Sequence, residues 1–314
     1  MPRNPFAVVG GLPRAAARLP KMAPDMSLLP AGKMVTLADD VVTRLYDTGE
    51  EHLTPVVLLH GMAATGMLNW YQTFQRLRGE YRLIAFDQRW HGRGFKGDFT
   101  FQALTDDVLR VVDHLELPAP VLGGYSMGSL VSQLAARRDP SRFSGLVLAA
   151  AGTGAQRNAM EKLTMGWFLR TSPFLNAVPM EVAGELEGSG VDGRGVGGNR
   201  VITHDGGAAE FASAQRWALH ELSSVSFATH RTVIAEVARF NSTPWLAELD
   251  LPVAVIKTMR DVAFPRRVQD EMADLLPHSA VFPIDAGHAV CATHPGTFAR
   301  RMRTSIDWVV SSAG

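Results

Sequence analysis

Gly124-Tyr125-Ser126-Met127-Gly128 is the stretch on which the fold of this chain turns. An apolar run, residues 120–123, precedes it, and a helix-like stretch, residues 129–138, follows. A serine between two glycines at a strand-to-helix junction marks a bend so tight that side chains flanking the serine would collide. Such a turn lifts the serine clear of the sheet edge. It also sets a helix N-terminus beneath it, where main-chain N–H groups and the helix dipole favour negative charge.

Six short apolar runs around this turn read as strands: residues 56–59, 83–86, 120–122, 146–149, 253–256 and 280–282. Runs that are apolar on both faces suit a mostly parallel sheet covered by helices on each side. Helical patterns lie between them. Over residues 101–115, Leu104, Val108, Val111, Val112 and Leu115 recur at spacings of three and four, and 264–276 and 294–310 read likewise. Residues 34–37 and 41–46 read as an antiparallel hairpin around Ala38-Asp39-Asp40. Strand alternating with helix predicts an α/β open sheet.

The alternation breaks between residues 154 and 241. An apolar stretch at 165–180 is followed there by a glycine-crowded run at 184–207 without periodicity. This reads as a cap or lid inserted over the sheet edge. The chain accordingly divides into an N-terminal arm (1–33), a first part of the core (34–153), the insertion (154–241) and a second part of the core (242–314).

Composition narrows the function. The 46% hydrophobic and 20% charged residues are those of a globular protein. Lys+Arg and Asp+Glu balance at 31 each, so no overall field favours nucleic acid. A single cysteine, Cys291, excludes an internal disulfide and reads as a small buried thiol. No metal-ligand spacing is present, and neither a metal nor a cofactor is expected. No uninterrupted apolar segment is long enough to span a bilayer. The prolines of the arm break any signal-like core, so a cytoplasmic protein is expected, with the arm packed against its own domain or partly disordered. The alternative is residues 6–19 as an amphipathic segment able to touch lipid weakly. Oligomeric state is not legible.

A serine acts as a nucleophile when a histidine takes its proton and a carboxylate orients that histidine. Two loops beyond strand ends supply the partners. Asp261 follows the strand at 253–256, and His288 follows the strand at 280–282, where functional groups of open α/β sheets collect. Asp285 is a second carboxylate near His288, read as a turn residue. His60 is read as a brace for its loop.

Four motifs in order carry a resemblance: Leu58-Leu59-His60-Gly61-Met62, the segment 86–94 (F-D-Q-R-W-H-G-R-G), Gly124 to Gly128, and Ala286-Gly287-His288. Over residues 35–310 the chain resembles α/β-hydrolases of the serine esterase type. The resemblance implies an elbow at Gly124 and Gly128, Ser126 as nucleophile, Asp261 as orienting acid and His288 as general base and acid. It places an oxyanion hole at the main-chain N–H groups of Met62 and Met127. It implies no catalytic role for Arg89, His91 or Arg93, and Gln88 and Trp90 depart from the commoner pattern. Met62, Met127, Trp70, Phe95 and the 165–180 stretch suggest an apolar pocket and a small-molecule ester with an apolar acyl group. Carbon–carbon bond hydrolases and perhydrolases use the same three residues, and a silent binding protein on this scaffold is a further alternative.

Overall fold

The computed structural model describes residues 25–154, 221 and 227–313. The amphipathic segment expected at 6–19 and most of the insertion expected at 154–241 lie outside them. Eight strands form one sheet: β1 (Lys33–Thr36), β2 (Val42–Asp47), β3 (Pro55–Leu59), β4 (Arg82–Phe86), β5 (Val121–Tyr125), β6 (Gly145–Ala149), β7 (Val253–Thr258) and β8 (Ser279–Ile284). Their order across the sheet is β1-β2-β4-β3-β5-β6-β7-β8. The β1–β2 hairpin and the β2–β4 pair are antiparallel, and every other pair is parallel. This is the expected α/β architecture.

The helices are α1 (Gly66–Leu77), α2 (Phe101–His114), α3 (Met127–Arg138), α4 (Phe227–Arg239), α5 (Arg266–Leu275), α6 (Val290–Thr293) and α7 (Pro295–Ala313). Threonines start two of them. Thr65 accepts the N–H of Leu68 at the head of α1, and Thr100 accepts that of Ala103 at the head of α2. Every residue of β5 and β6 is buried, as a central parallel strand covered on both faces requires. On one face α2, α3 and α5 bury Leu104, Val108, Leu130, Val131, Val268 and Met272. On the other, α1 and α7 bury Trp70, Phe74, Phe298, Met302, Ile306 and Val309.

Two expectations need correction. Trp70 is not a pocket residue. Its ring is fully buried, stacked on Phe298 at 5.9 Å and edge-on to Tyr125 at 6.2 Å. The insertion also contains a regular element that no pattern announced, since α4 lies within 154–241 and buries Val233.

Candidate active site

The turn after β5 has the strain its sequence implies. Ser126 sits at φ 53° and ψ −119°, a positive φ outside the ordinary regions for an L residue. Its glycines are there for space. A Cβ on Gly124 would fall 2.5 Å from Ser129 Cα, and one on Gly128 would fall 2.2 Å from the carbonyl oxygen of Leu59. The Ser126 N–H bonds the Ala149 carbonyl at 2.9 Å, tying the bend to β6. The Ser129 hydroxyl donates to the same carbonyl at 3.0 Å and accepts the Ala149 N–H at 3.1 Å.

Three loops at the carboxyl ends of strands bring the side chains together. Ser126 Oγ lies 2.9 Å from His288 Nε2, and His288 Nδ1 lies 2.8 Å from Asp261 Oδ2. A carboxylate only accepts, so Nδ1 carries the ring proton and Nε2 is left to accept from the serine hydroxyl. The Asp261 side chain is wholly buried. Its Oδ1 accepts the N–H groups of Ala263 and Phe264 at 2.8 and 2.9 Å, while Oδ2 also receives the Thr258 hydroxyl at 2.8 Å. Phe264 stacks on the His288 ring at 5.9 Å. The Tyr125 hydroxyl donates to the main-chain oxygen of His288, fixing the loop from below. Asp285 points away: it is exposed and pairs with Arg260 at 3.0 Å.

The loop after β3 closes over the serine. A Cβ on Gly61 would lie 3.3 Å from Ser126 Cβ, so this loop runs against the Ser126 turn. Asn69 of α1 accepts the Gly61 N–H at 3.0 Å and holds it there. Met62 is half-buried and packs on the core, Met127 is buried, and the Met127 N–H belongs to the first turn of α3, where no intrahelical acceptor exists.

The segment 86–94 is scaffolding. Asp87 accepts the N–H of Gly66 and of Arg93, both at 2.9 Å, and Arg89 is locked on Asp107. His60 is wholly buried between the Gly61 carbonyl and the Gln88 N–H. Burial, and then the nearby His91, hold its pKa well below the usual imidazole range, so it stays neutral. Phe95 is half-buried with the Arg89 guanidinium 5.0 Å over its ring, so that face is occupied by protein. Desolvation pushes the half-buried Cys291 thiol up to about 11, which leaves it protonated near neutrality. Among the described residues, no three His, Cys, Asp or Glu side chains gather as a metal site, and no helix is long and apolar enough to cross a membrane.

The family pattern described as the alpha/beta hydrolase fold matches residues 54–295. The chain belongs to the α/β-hydrolase fold family. Among curated relatives, it is 29% identical over 116 residues to 3-oxoadipate enol-lactonase 2 of Acinetobacter baylyi, covering 36% of this chain and 43% of that protein. It is 34% identical over 129 residues to the 2-hydroxy-6-oxo-2,4-heptadienoate hydrolase of Pseudomonas putida, covering 38% and 44%. The chain thus spans under half the length of these two relatives. Among solved structures, a membrane phospholipase A described as a bacterial virulence factor superposes with a TM-score of 0.69 at 19% identity, over 97% of this chain and 96% of that one. At that identity the likeness speaks for the fold.

The supports of the site were not read from the sequence. Thr258, Gln269, Asn69 and Tyr125 act through hydrogen bonds set by tertiary neighbours, which leave no periodic signal.

Proposed function

We propose that this α/β-hydrolase is a serine hydrolase that cleaves carboxylic esters bearing an apolar acyl group, through an acyl-enzyme on Ser126. The observation that carries the reading is the continuous run from buried Asp261 through His288 to Ser126, at 2.8 and 2.9 Å. His288 Nε2 takes the hydroxyl proton as Ser126 Oγ attacks the carbonyl carbon. The oxyanion forms against the N–H groups of Met62 and Met127, above the first turn of α3. His288 then returns the proton to the leaving alcohol, and a water repeats the sequence to release the acid. Phe264 stacked on His288, and the half-buried Met62 next to Gly61 in the loop that lies against Ser126, support apolar surroundings, and the enol-lactonase relative favours an ester-type bond.

The test is fluorophosphonate labelling together with hydrolysis of p-nitrophenyl esters from acetate to palmitate. Wild-type protein is expected to label and to turn over the panel, and Ser126→Ala is expected to lose the label and about 10³-fold or more of kcat. Retained hydrolysis in Ser126→Ala would overturn the reading. A labelled but inactive wild type would favour carbon–carbon cleavage instead, for which the dienoate hydrolase relative is the supporting observation. No labelling in folded protein would point to binding without catalysis.

A further inference from the structure

Thr258 is the last residue of β7, three before Asp261. Its Oγ1 donates to Asp261 Oδ2 at 2.8 Å, the same oxygen that receives His288 Nδ1–H. With the Ala263 and Phe264 N–H groups on Oδ1, the carboxylate has two donors on each oxygen. A carboxylate offers about four lone-pair sites, so this set fills it. Because the side chain is wholly buried, water cannot stand in for a missing donor.

Thr258 is itself immobilised. The Gln269 amide on α5 accepts the Thr258 N–H at 2.9 Å and donates to the Thr258 and Phe264 carbonyls at 3.0 and 2.7 Å. Gln269 thereby clamps both ends of the loop that carries Asp261. The Thr258 hydroxyl proton has two acceptors within reach, Asp261 Oδ2 at 2.8 Å and Gln269 Oε1 at 3.3 Å. The nearer one is charged and takes it.

We infer that Thr258 is a positioning residue for the reaction. Its hydroxyl and the His288 ring share Asp261 Oδ2, which holds the carboxylate in the one orientation that keeps His288 Nε2 on Ser126. Without the hydroxyl, Oδ2 keeps a single donor and carries an unpaired buried lone pair. The carboxylate then turns to recover a partner, and His288 turns with it. The inference rests on the reading of Ser126, His288 and Asp261 proposed above, and it assigns a role to a residue outside those three.

The experiment compares full-length wild type, Thr258→Val and Thr258→Ser by the rate of fluorophosphonate labelling, by kcat and KM on one p-nitrophenyl ester, and by melting temperature. Thr258→Val keeps shape and β-branching without the hydroxyl. It is expected to label Ser126 and turn over about 10-fold or more slowly, the effect of losing one hydrogen bond to a charged group. KM is expected to stay within about twofold, and Thr258→Ser to return kcat to within about threefold of wild type. Wild-type rates in Thr258→Val overturn the inference. So does a folded Thr258→Ser as slow as the valine variant, because its hydroxyl is intact. Should Thr258→Val not fold, Thr258→Ala takes its place in the comparison, and Thr258→Ser retains its own power to overturn. Failure of wild type to label at all sinks the reading of Ser126 instead, so the two failures are distinguishable.

Discussion

Ser126 is held in a backbone conformation that costs an L residue on the order of 1–3 kcal/mol, and its neighbours show what sustains it. The Ser129 hydroxyl bridges both polar main-chain groups of Ala149, and Gly124 and Gly128 leave room for β3 and α3 to close on the turn. Gly128 is the tightest of these contacts, because its missing Cβ would meet the carbonyls of Leu59 and His60, the residues that lead into the Gly61 loop. Gly128→Ala is therefore expected to lower unfolding free energy in urea by about 1–3 kcal/mol, as overpacking does, and to reduce ester turnover through the displaced loop. Gly49 has a positive φ but open space around it, so Gly49→Ala is the control, expected to cost about 1 kcal/mol without loss of turnover. Gly128 is helical and has no positive φ. A loss in Gly128→Ala no larger than in Gly49→Ala, with turnover kept, would therefore show that the close approach to β3 does not require glycine there.

Among the elements, the strands of the central sheet were legible because burial on both faces leaves a short apolar run, as at 146–149 in β6. The order of Ser126, Asp261 and His288 was legible because each follows such a run. The helix α1 was missed although its stripe Met67, Trp70, Phe74 and Leu77 recurs at three and four residues. Read as a stripe, Trp70 faces the core, which is where the structure puts it. Its polar neighbour Asn69 was not legible at all, since its partner Gly61 N–H is supplied only by the fold. That bond makes α1 the support of the proposed oxyanion loop. Asn69→Leu keeps similar bulk but removes the acceptor, so kcat on a p-nitrophenyl ester is expected to fall about 10-fold with KM little changed. The Asn69 amide nitrogen is buried without a partner, so its loss offsets part of the orphaned Gly61 N–H and the melting temperature should move little. A change confined to KM, or to stability, would mean that Asn69 does not position the loop.

At the scale of the molecule, Glu221, from the stretch between β6 and β7, meets the sheet through a buried polar junction. Glu221 pairs with Arg44 of β2 at 3.3 Å and accepts the hydroxyl of Thr65, the residue that caps α1. Asp87 lies close enough for the Glu221 charge to act on it. Burial first, and then the Glu221 charge, push the Asp87 carboxyl up to about 6, against the pull of the Arg93 and Gly66 N–H groups. The folded chain consequently holds a proton that the unfolded chain releases near pH 4. Folding stability from this group is therefore undiminished below about pH 4, falls as pH rises from about 4 to 6, and is lower by up to about 3 kcal/mol above that. Urea unfolding from pH 4 to 7 should show this loss in wild type. Asp87→Asn cannot ionise, so its stability should fall less steeply over the same window, even though its amide must turn one N–H toward a main-chain donor and lower the curve as a whole. Parallel wild-type and Asp87→Asn curves between pH 4 and 6 would place the ionisation elsewhere. A gap between the two curves that changes only in that window would show that buried Asp87 holds its proton in mild acid and that its charge weakens the folded state near neutrality.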